Sequence, residues 1–326
     1  MGPPTVDGEV ASATIVDGRG ALRSGRFVGA LRQDPLAVGP RRGRARRWCY
    51  SAAGRGDTVV GAAIAQLGPL VVAFAFATID GVTATWDARG PATGSNGVGP
   101  VPTAGAHASH RGARVQLDGR GGLVLDVPTE QGRLVARIVT SEDVTPVVLS
   151  TPTPAGGWNV TEKAAGTRAE LVMALGERPA RIHDDAGGWR DWTAGRQDRR
   201  TTWRWAAGAG LAADGRRVGL NSSTGMNGEG PGEDIVWIDG APHRVEVTAL
   251  HPLDEASPEA GWVLRGPGAQ LDLSPAGARV KREHVGPIVS EYQQPIGRWR
   301  GRLPLGGAEP TEVSLSGVAE DHLAVW

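Results

Sequence analysis

The sequence predicts an all-β fold, a barrel or a sandwich, on three observations. Asp-Gly pairs begin at residues 7, 17, 80, 118, 214 and 239, and Asn-Gly pairs begin at 96 and 227. Such pairs favour the positive φ angles of hairpin turns. Short apolar or alternating runs separate these turns at intervals of about eight to fifteen residues, as expected of barrels and sandwiches. Long amphipathic helical periodicity is nearly absent, so we expect strands joined by Gly-rich turns.

The earliest clear elements lie in residues 59–79, VVGAAIAQLGPLVVAFAFATI. This segment is long enough to cross a bilayer. However, a Gly-Pro pair interrupts it at 68–69, and an aspartate stands near each end. The sequence therefore predicts a hairpin of strands 59–67 and 70–79, and no membrane-spanning segment.

The later strands are predicted from shorter runs and are followed by a candidate domain boundary. The predicted strands cover residues 122–127, 132–139, 168–174, 217–222, 235–238, 243–249, 270–273 and 312–317. A Pro-rich stretch at 146–157, PVVLSTPTPAGG, is the best candidate for a boundary. We therefore predict two β domains, 1–150 and 151–326, which suits a chain of 326 residues.

Composition excludes several classes of function. Acidic and basic residues balance at 35 each, so no overall charge attracts nucleic acid, and the basic run 41–47 lacks interleaved aromatic residues. Cys49 is the only cysteine, which excludes an internal disulfide. The first ten residues lack the pattern of a secretory signal, so we expect a cytoplasmic protein. Lys163 and Lys281 are the only lysines in an otherwise arginine-based set.

Tryptophan is concentrated near the centre of the chain. Trp189, Trp192, Trp203 and Trp205 fall within 17 residues. A buried tryptophan usually needs a partner for its N–H group. This cluster therefore marks either an unusual core or the wall of a pocket.

Seven segments resemble a known family in their content and order. They are RRWCYSAAG (46–54), GAAIAQLGPLVVAFAFATID (61–80), DWTAGR with TTWRWA (191–206), VGLNSSTG (218–225), EDIVWIDG (233–240), SEYQQPIGRWRG (290–301) and EDHLAVW (320–326). Over roughly residues 40 to 326 the chain resembles domain-of-unknown-function family 2804, which is similar to the carotenoid-hydratase-like proteins. The resemblance implies two lipocalin-like antiparallel β-barrels, or strongly curved sheets, in tandem. One departure is Glu233-Asp234, where the family pattern has Glu-Asn.

The C-terminal segment offers an acid–base pair. Side chains alternate between the two faces of a strand, so Glu320 and His322 share one face. Asp321 and Leu323 share the other, which we expect to pack into the core. A histidine oriented by a carboxylate can transfer protons near neutral pH. A structural ion pair that closes a barrel is the alternative interpretation.

Asp191 is the third candidate catalytic residue. It lies between Trp189 and Trp192, and arginines follow at 196, 199 and 200. Burial among aromatic rings would keep a proton on this carboxyl group, as a general acid requires. An arginine partner would instead keep the group charged and make Asp191 part of the scaffold.

Six further residues are candidates for binding a ligand through aromatic stacking or polar contacts. Alternation places Trp203 and Trp205 on one strand face and Arg204 on the other. Arg298, if its side chain faces inward, could bind a carboxylate or phosphate group of a ligand. Core packing is an alternative for the tryptophans. The candidates are Trp192, Trp203, Trp205, Asn221, Trp237 and Arg298.

No metal or organic cofactor is predicted. Glu233, Asp234 and Asp239 form an acidic cluster, but they lack the spacing of a calcium loop, and no zinc-type histidine pair is present. The glycines follow neither Rossmann nor P-loop spacing, and no Gly-x-Ser-x-Gly motif occurs.

Three functions fit these residues, each with a small-molecule partner. The first is a cofactor-independent enzyme, a hydratase, isomerase or cyclase, that transfers protons on a hydrophobic molecule of isoprenoid or polyketide type. Asp191, Glu320 and His322 would supply the protons, and tryptophan faces would stabilise positive charge. The second is a lipocalin-like carrier of hydrophobic ligands. The third is a carbohydrate-binding or carbohydrate-processing β-protein, because tryptophan also stacks on sugars.

Overall fold

A computed structural model describes residues 15, 22–41, 44–226, 232–257, 260–285, 288–306 and 309–325. Of the described residues, 70% lie in strands and 2% in helices. The described strands form two strongly curved antiparallel sheets. The predicted fold class, an all-β protein of two tandem lipocalin-like curved sheets, is therefore confirmed.

The first sheet contains thirteen of the described strands. They are β1 (Gly25–Val28), β2 (Arg44–Arg55), β3 (Thr58–Leu67), β4 (Leu70–Ile79), β5 (Val82–Pro91), β6 (Gly97–Val98), β7 (Ala106–His110), β8 (Ala113–Leu117), β9 (Leu123–Thr129), β10 (Gly132–Thr140), β11 (Val147–Pro152), β12 (Trp158–Leu175) and β13 (Arg181–Gln197). Two short helical segments are α1 (Pro35–Val38) and a 3-10 turn (Pro102–Ala104).

The second sheet contains the other nine described strands. They are β14 (Arg200–Ala212), β15 (Arg217–Thr224), β16 (Ile235–Ile238), β17 (Ala241–Arg244), β18 (Ala249–Pro252), β19 (Trp262–Gly266), β20 (Ala269–Val285), β21 (Ile288–Leu303) and β22 (Thr311–Val325).

The two sheets repeat one strand order. The main run of the first sheet is β5-β4-β3-β2-β13-β12-β10-β9-β8, and the second sheet is β17-β16-β15-β14-β22-β21-β20-β19-β18. In each sheet the last strand in sequence returns to pair with an early long strand, β13 with β2 and β22 with β14. The strand order thus contains a duplication that no repeat in the residues reveals.

The chain passes from the first sheet to the second between Gln197 and Arg200. The Pro-rich stretch at 146–157, which predicts a boundary, contributes β11, and this strand pairs with β1 and β12. Because β12 and β13 belong to the first sheet, the change of sheet comes later than the predicted division at residue 150.

Six of the ten predicted strands occur close to their predicted bounds, whereas 168–174, 270–273 and 312–317 are parts of the longer strands β12, β20 and β22. The hairpin at 59–79 forms β3 and β4, and the Asp80-Gly81 pair that follows has positive φ at both residues (50° and 76°). One strand prediction, 243–249, is wrong, because β17 ends at Arg244 and β18 begins at Ala249. The turns predicted at 7, 17 and 227 lie outside the described residues. No helix in the described part of the chain is long and apolar enough to span a membrane.

Hydrophobic side chains pack in three clusters. One cluster draws only on the first sheet and its flanking segments and includes Trp192. Another draws only on the second sheet and nearby segments and includes Trp262 and Trp299. The third joins side chains of both sheets, among them Trp189 and Trp237. The two sheets therefore share a hydrophobic contact in addition to their separate cores.

Candidate functional site

A cavity of about 760 Å³ lies between the two sheets. This volume is within the range of small-molecule sites. Residues of β2, β3, β4, β5, β12 and β13 line it from the first sheet, and residues of β14, β15, β20, β21 and β22 line it from the second. Its aromatic wall consists of Trp48, Tyr50, Phe74, Trp203, Trp205 and Tyr292.

Strand alternation produces the aromatic wall. Trp48 and Tyr50 are two apart on β2 and face the cavity, whereas Cys49 between them packs into the core of the first sheet. Trp203 and Trp205 are likewise two apart on β14, as predicted for residues that share a face. The rings of Trp48 and Trp203 are 5.7 Å apart, and those of Tyr50 and Trp205 are 5.2 Å apart in an edge-to-face arrangement. The two sheets therefore meet through paired aromatic rings.

Asp191 lines this cavity and is ion-paired with a lysine, not with an arginine. Its Oδ2 accepts hydrogen bonds from Trp48 Nε1 (2.8 Å) and lies 2.9 Å from Lys163 Nζ. Its Oδ1 accepts from Thr161 Oγ1 (2.9 Å) and Thr193 Oγ1 (3.2 Å). Both oxygens of the buried carboxylate are thus occupied by donors.

Lys163 joins the two sheets at the cavity wall. Its Nζ lies 2.9 Å from Asp191 of β13 and 3.3 Å from Glu233, just before β16. It also lies 5.5 Å from the centre of the Trp205 ring. Burial opposes the charge, but Asp191 and Glu233 outweigh burial and raise the pKa of Lys163 above its usual value. The side chain is therefore a buried ammonium group at neutral pH.

Glu320 is the second buried carboxylate of the cavity. Its Oε1 accepts from Trp203 Nε1 (2.7 Å), and its Oε2 accepts from Tyr292 Oη (3.0 Å) and Gln294 Nε2 (3.1 Å). Burial first, and then the charge of Glu320, raise the pKa of Tyr292 well above its usual value, so this hydroxyl stays protonated and can donate. Three donors therefore hold the carboxylate in place.

His322 packs against the same aromatic side chains. Its ring centre is 4.2 Å from that of Trp203 and 5.0 Å from that of Tyr292. Nε2 lies 3.0 Å from Ser290 Oγ, and Nδ1 lies 3.8 Å from Glu320 Oε1. Glu320, His322 and Ser290 all line the cavity, so an imidazole between a carboxylate and a hydroxyl faces the space available to a ligand.

The two carboxylates occupy equivalent positions in the duplicated strand order. Asp191 lies opposite Tyr50 on β2 and accepts from Trp48, two positions before Tyr50. Glu320 lies opposite Trp205 on β14 and likewise accepts from the tryptophan two positions earlier. The cavity therefore contains two versions of one structural unit, a carboxylate bound to an indole on the neighbouring strand.

The residues beside the two carboxylates differ, so the two units can carry out different chemistry. Two positions after Asp191 is Thr193, and Lys163 lies directly across on β12. Two positions after Glu320 is His322, and the neighbouring β21 supplies neutral donors instead of an ammonium group. The first unit is a closed ion pair, whereas the second holds a titratable imidazole.

Four predicted ligand-binding residues do not line the cavity, and one of them is Asn221, whose contacts are given below. Trp192 is on the face of β13 opposite to Asp191 and packs in the core of the first sheet. Trp237 is fully buried between the sheets, and its Nε1 donates to the carbonyl oxygen of Thr145 (2.8 Å). Arg298 is paired with Asp57 (3.1 Å) in the β2–β3 turn. Alternation defines two faces for each strand but does not show which face meets a cavity.

The polar residues Asn221, Glu233 and Asp234, also considered in the sequence analysis, contact residues around the cavity wall. Asn221 accepts from Trp205 Nε1 (2.8 Å) and donates to the carbonyl oxygen of Glu233 (2.7 Å), so it orients a wall residue. Asp234 accepts from Ser222 Oγ (2.7 Å). Glu233 and Asp234 thus contact different partners, the first Lys163 and the second Ser222.

The expectation that the Asp321 face of β22 packs into the core is wrong. Asp321 is partly exposed and lies 3.4 Å from Arg204, and Leu323 is only half-buried. The core of β22 instead lies further back along the strand, at Leu315 and Val318. Trp326, the last residue of the motif, is outside the described residues.

Several cavity residues were not singled out from the sequence. They are Trp48, Tyr50, Phe74, Lys163, Arg279 and Tyr292. One compositional signal was available: the chain has two lysines and two tyrosines, and all four line this cavity.

The family model described as "Domain of unknown function (DUF2804)" matches residues 9–326. The chain belongs to this family. The resemblance found in its motifs is thereby confirmed. None of the curated proteins matches the chain in sequence.

Solved structures share the fold at low sequence identity. An AttH candidate from Nitrosomonas europaea is similar with a TM-score of 0.50 and 8% identity, over 90% of this chain and 96% of that one. Kievitone hydratase from Nectria haematococca is similar with a TM-score of 0.49 and 9% identity, over 100% and 98%. CghA is similar with a TM-score of 0.40 and 14% identity, over 88% and 89%. At these identities the likeness to the first structure concerns the fold alone.

Proposed function

We propose that this protein is a cofactor-independent enzyme that transfers protons on a hydrophobic small molecule, as a hydratase, isomerase or cyclase. The observation that carries the proposal is the position of His322. It lies on the aromatic wall of a cavity, 3.8 Å from the Glu320 carboxylate and 3.0 Å from the Ser290 hydroxyl. Aromatic rings provide apolar contact with a ligand, and an imidazole is the side chain best suited to accept and return a proton near neutral pH.

Glu320 and His322 have different roles in this proposal. Glu320 accepts from Trp203, Tyr292 and Gln294, so it is a fixed acceptor and a positioning residue. Its negative charge stabilises the imidazolium that forms when His322 takes a proton. Ser290 is placed to pass that proton between His322 Nε2 and the ligand.

Asp191 serves as an acceptor in the same scheme. Four groups donate to it, including the Lys163 ammonium, so both of its oxygens already act as acceptors. This arrangement favours a role in holding Lys163 at the wall over the role of proton donor expected from the sequence.

The proposed chemistry needs only proton movement. In an isomerisation or cyclisation, the proton that His322 removes from one atom of the ligand returns to another atom of the same molecule. In a hydration, a proton is added to one carbon of a double bond and the hydroxyl of water to the other. Where positive charge develops, the faces of Trp48, Trp203 and Trp205 stabilise it.

Exchange of hydrogen with solvent tests the proposal. Isoprenoid and polyketide compounds are incubated with the protein in D₂O, and mass spectrometry follows both product formation and deuterium incorporation. For a compound that reacts, His322→Gln should lower the rate about 10²–10⁴-fold. His284→Gln is the matched control, because His284 and Glu291 form a similar pair (2.9 Å) that is exposed on the second sheet. A compound that binds wild-type protein with neither product nor exchange supports the carrier function instead.

A second candidate is serine-type acyl transfer. In space, the His322 imidazole lies between the Ser290 hydroxyl and the Glu320 carboxylate, which is the arrangement of a catalytic triad. The 3.8 Å separation of His322 from Glu320 is too long for a hydrogen bond, and other donors already occupy that carboxylate, so proton transfer is favoured. Covalent labelling by a fluorophosphonate that disappears in Ser290→Ala would support the hydrolase, and failure to label would support the proton-transfer enzyme.

A further inference from the structure

We infer that the ligand of this cavity carries an anionic oxygen, a carboxylate or an ionised phenol or enol, and that Arg279 binds it. The inference rests on the proposed function only in taking the cavity as the ligand site. It concerns binding and requires no turnover.

Arg279 is a buried cation on the aromatic wall. Only 5% of the residue is exposed. Its Cζ lies 4.0 Å from the centre of the Phe74 ring, on the first sheet, and 4.5 Å from that of Tyr292, on the second. Burial opposes the charge, but the carboxylates Asp87 and Glu320 favour it, and the pKa of Arg279 is raised. The guanidinium is therefore charged and contacts two rings whose planes are tilted by 56° to each other.

The hydrogen-bonding capacity of this guanidinium is largely unused. Its described hydrogen bond runs from Nη2 to Asp87 Oδ1 (2.5 Å). Nε is buried without an acceptor among the described residues. A guanidinium has five N–H donors that suit the two oxygens of a carboxylate. A buried donor without a partner costs free energy, so a ligand oxygen that reaches this guanidinium would stabilise the complex.

Asp87 does not neutralise this cation fully, because it is shared. Lys281 Nζ also lies 3.1 Å from Asp87 Oδ1 and 3.1 Å from Glu283 Oε1. Glu283 in turn is paired with Arg89 (2.5 Å). Within this row three cations therefore share two carboxylates, and the charge of Glu320, outside the row, also acts on Arg279.

These five charged side chains lead from the cavity to the surface. The exposed fraction of the side chain rises from 6% at Arg279 to 25% at Lys281 and 54% at Arg89. All five line the cavity. A row of charge with a positive excess attracts anions towards the inner end. The inner end is where the apolar wall begins, so the fitting ligand is an amphipathic acid with an apolar body against the tryptophans.

A matched pair of probes tests this inference. Retinoic acid and methyl retinoate share one apolar body, and only the acid carries a charge. Binding of each is measured by quenching of tryptophan fluorescence, since Trp48, Trp203 and Trp205 line the cavity. We expect the wild-type protein to bind the acid at least tenfold more tightly than the ester. Arg279→Gln should remove this preference and leave the affinity for the ester unchanged.

Two further variants keep the test independent of folding defects. Asp87→Asn frees Arg279 from its carboxylate partner and should tighten binding of the acid about threefold or more. Arg217→Gln is the control, because Arg217 pairs with Asp143 between the sheets and lies outside the cavity wall. Its preference for the acid should equal that of the wild type.

Equal affinity of wild-type protein for acid and ester, including failure to bind both, would overturn the inference. So would equal weakening of both probes by Arg279→Gln, because that result assigns the arginine to structure alone. A preference for the acid with no proton exchange on any ligand would leave the inference standing and count against the proposed enzyme.

Discussion

At the scale of single residues, Lys163 is the cation on which two buried carboxylates depend. Without its ammonium group, the buried Asp191 carboxylate would lose its ion-pair partner, and Glu233 would lose one of the cations near it. Removing one partner of a buried ion pair leaves an uncompensated charge. Lys163→Met should therefore lower the free energy of unfolding by about 3–5 kcal/mol, measured by urea denaturation.

The control for this variant is the other lysine of the chain. Lys281 is a quarter exposed, and Lys281→Met should cost no more than about 1 kcal/mol. The triple variant Lys163→Met, Asp191→Asn, Glu233→Gln should recover part of the loss, because it leaves no charge behind. A Lys163→Met protein as stable as the wild type would contradict this account.

A second residue-scale prediction concerns Asp234 and pH. Burial raises the pKa of Asp234 to about 6, against the hydrogen bond from Ser222, which lowers it. In an unfolded chain the pKa is about 3.9, so the folded protein holds this proton more tightly. The resulting stabilisation is present below about pH 4 and is lost as the pH rises through about 6.

The stability of Asp234→Asn relative to the wild type should therefore increase as the pH rises from 4.5 to 7.5, because only the wild type loses this contribution. Asparagine can still accept from Ser222, and Glu-Asn is the pattern expected in this family. Free energies of unfolding at the two pH values measure the change, and Asp184→Asn, an exposed position on β13, is the control. A stability difference between Asp234→Asn and the wild type that is the same at both pH values would refute the prediction.

At the scale of elements, the sequence predicts strands and faces well but not the partners of those faces. The hairpin at 59–79 and the shared face of Trp203 and Trp205 follow from local pattern. The bond from Trp203 to Glu320 joins residues 117 positions apart, and local alternation contains no information on such pairing. Trp192 packs in the core although its neighbour Asp191 lines the cavity, because adjacent residues on a strand face opposite sides.

The rare residues of this composition contained an additional signal. Lys163, Lys281, Tyr50 and Tyr292 are the only residues of their types, and all line the cavity. Because the other basic residues of this chain are arginines, a lysine at a buried position indicates a role that a planar guanidinium does not fill. Arg279 could not have been identified in this way, because arginine is common throughout the sequence.

An element-scale prediction concerns a close approach of the two sheets between β12 and β15. β12 has an irregularity at Gly166 (φ 87°), and its backbone there meets Gly219 of β15. A Cβ atom on Gly219 would lie 2.2 Å from the carbonyl carbon of Ala165, a backbone atom that cannot rotate away. Gly219→Ala should therefore lower the free energy of unfolding by about 2–3 kcal/mol.

The matched control is a glycine with open space around it. Gly90 of β5 has no atom within 4 Å of an added Cβ, and Gly90→Ala should be nearly neutral. Urea denaturation of both variants measures the difference. Equal stabilities would show that the sheets can separate at this point without cost.

At the scale of the whole molecule, the two sheets are joined by both apolar and polar contacts. Lys163 of the first sheet binds Glu233 of the second, and Trp237 donates to Thr145 across the same boundary. One hydrophobic cluster takes residues from both sheets. We therefore expect a single unfolding transition, with coincident curves from far-ultraviolet circular dichroism and tryptophan fluorescence. Two separated transitions would contradict this expectation.

Fragments test how the chain divides. The Pro-rich stretch predicts a division at residue 150, but a fragment 1–150 would lack β12 and β13, which join β2 to β10 in the first sheet. Its open strand edges would promote aggregation instead of folding. A fragment 1–199 contains every strand of that sheet and lacks only the cover that the second sheet provides.

We therefore expect cooperative urea unfolding and a β-type spectrum from fragment 1–199, at lower stability than the full chain, and neither from fragment 1–150. Adding fragment 200–326 to fragment 1–199 should raise its stability, because the shared cluster and the Lys163–Glu233 contact would form again. Cooperative folding of fragment 1–150 alone would place the division at the Pro-rich stretch after all. It would also mean that the first sheet closes without the strand that carries Asp191.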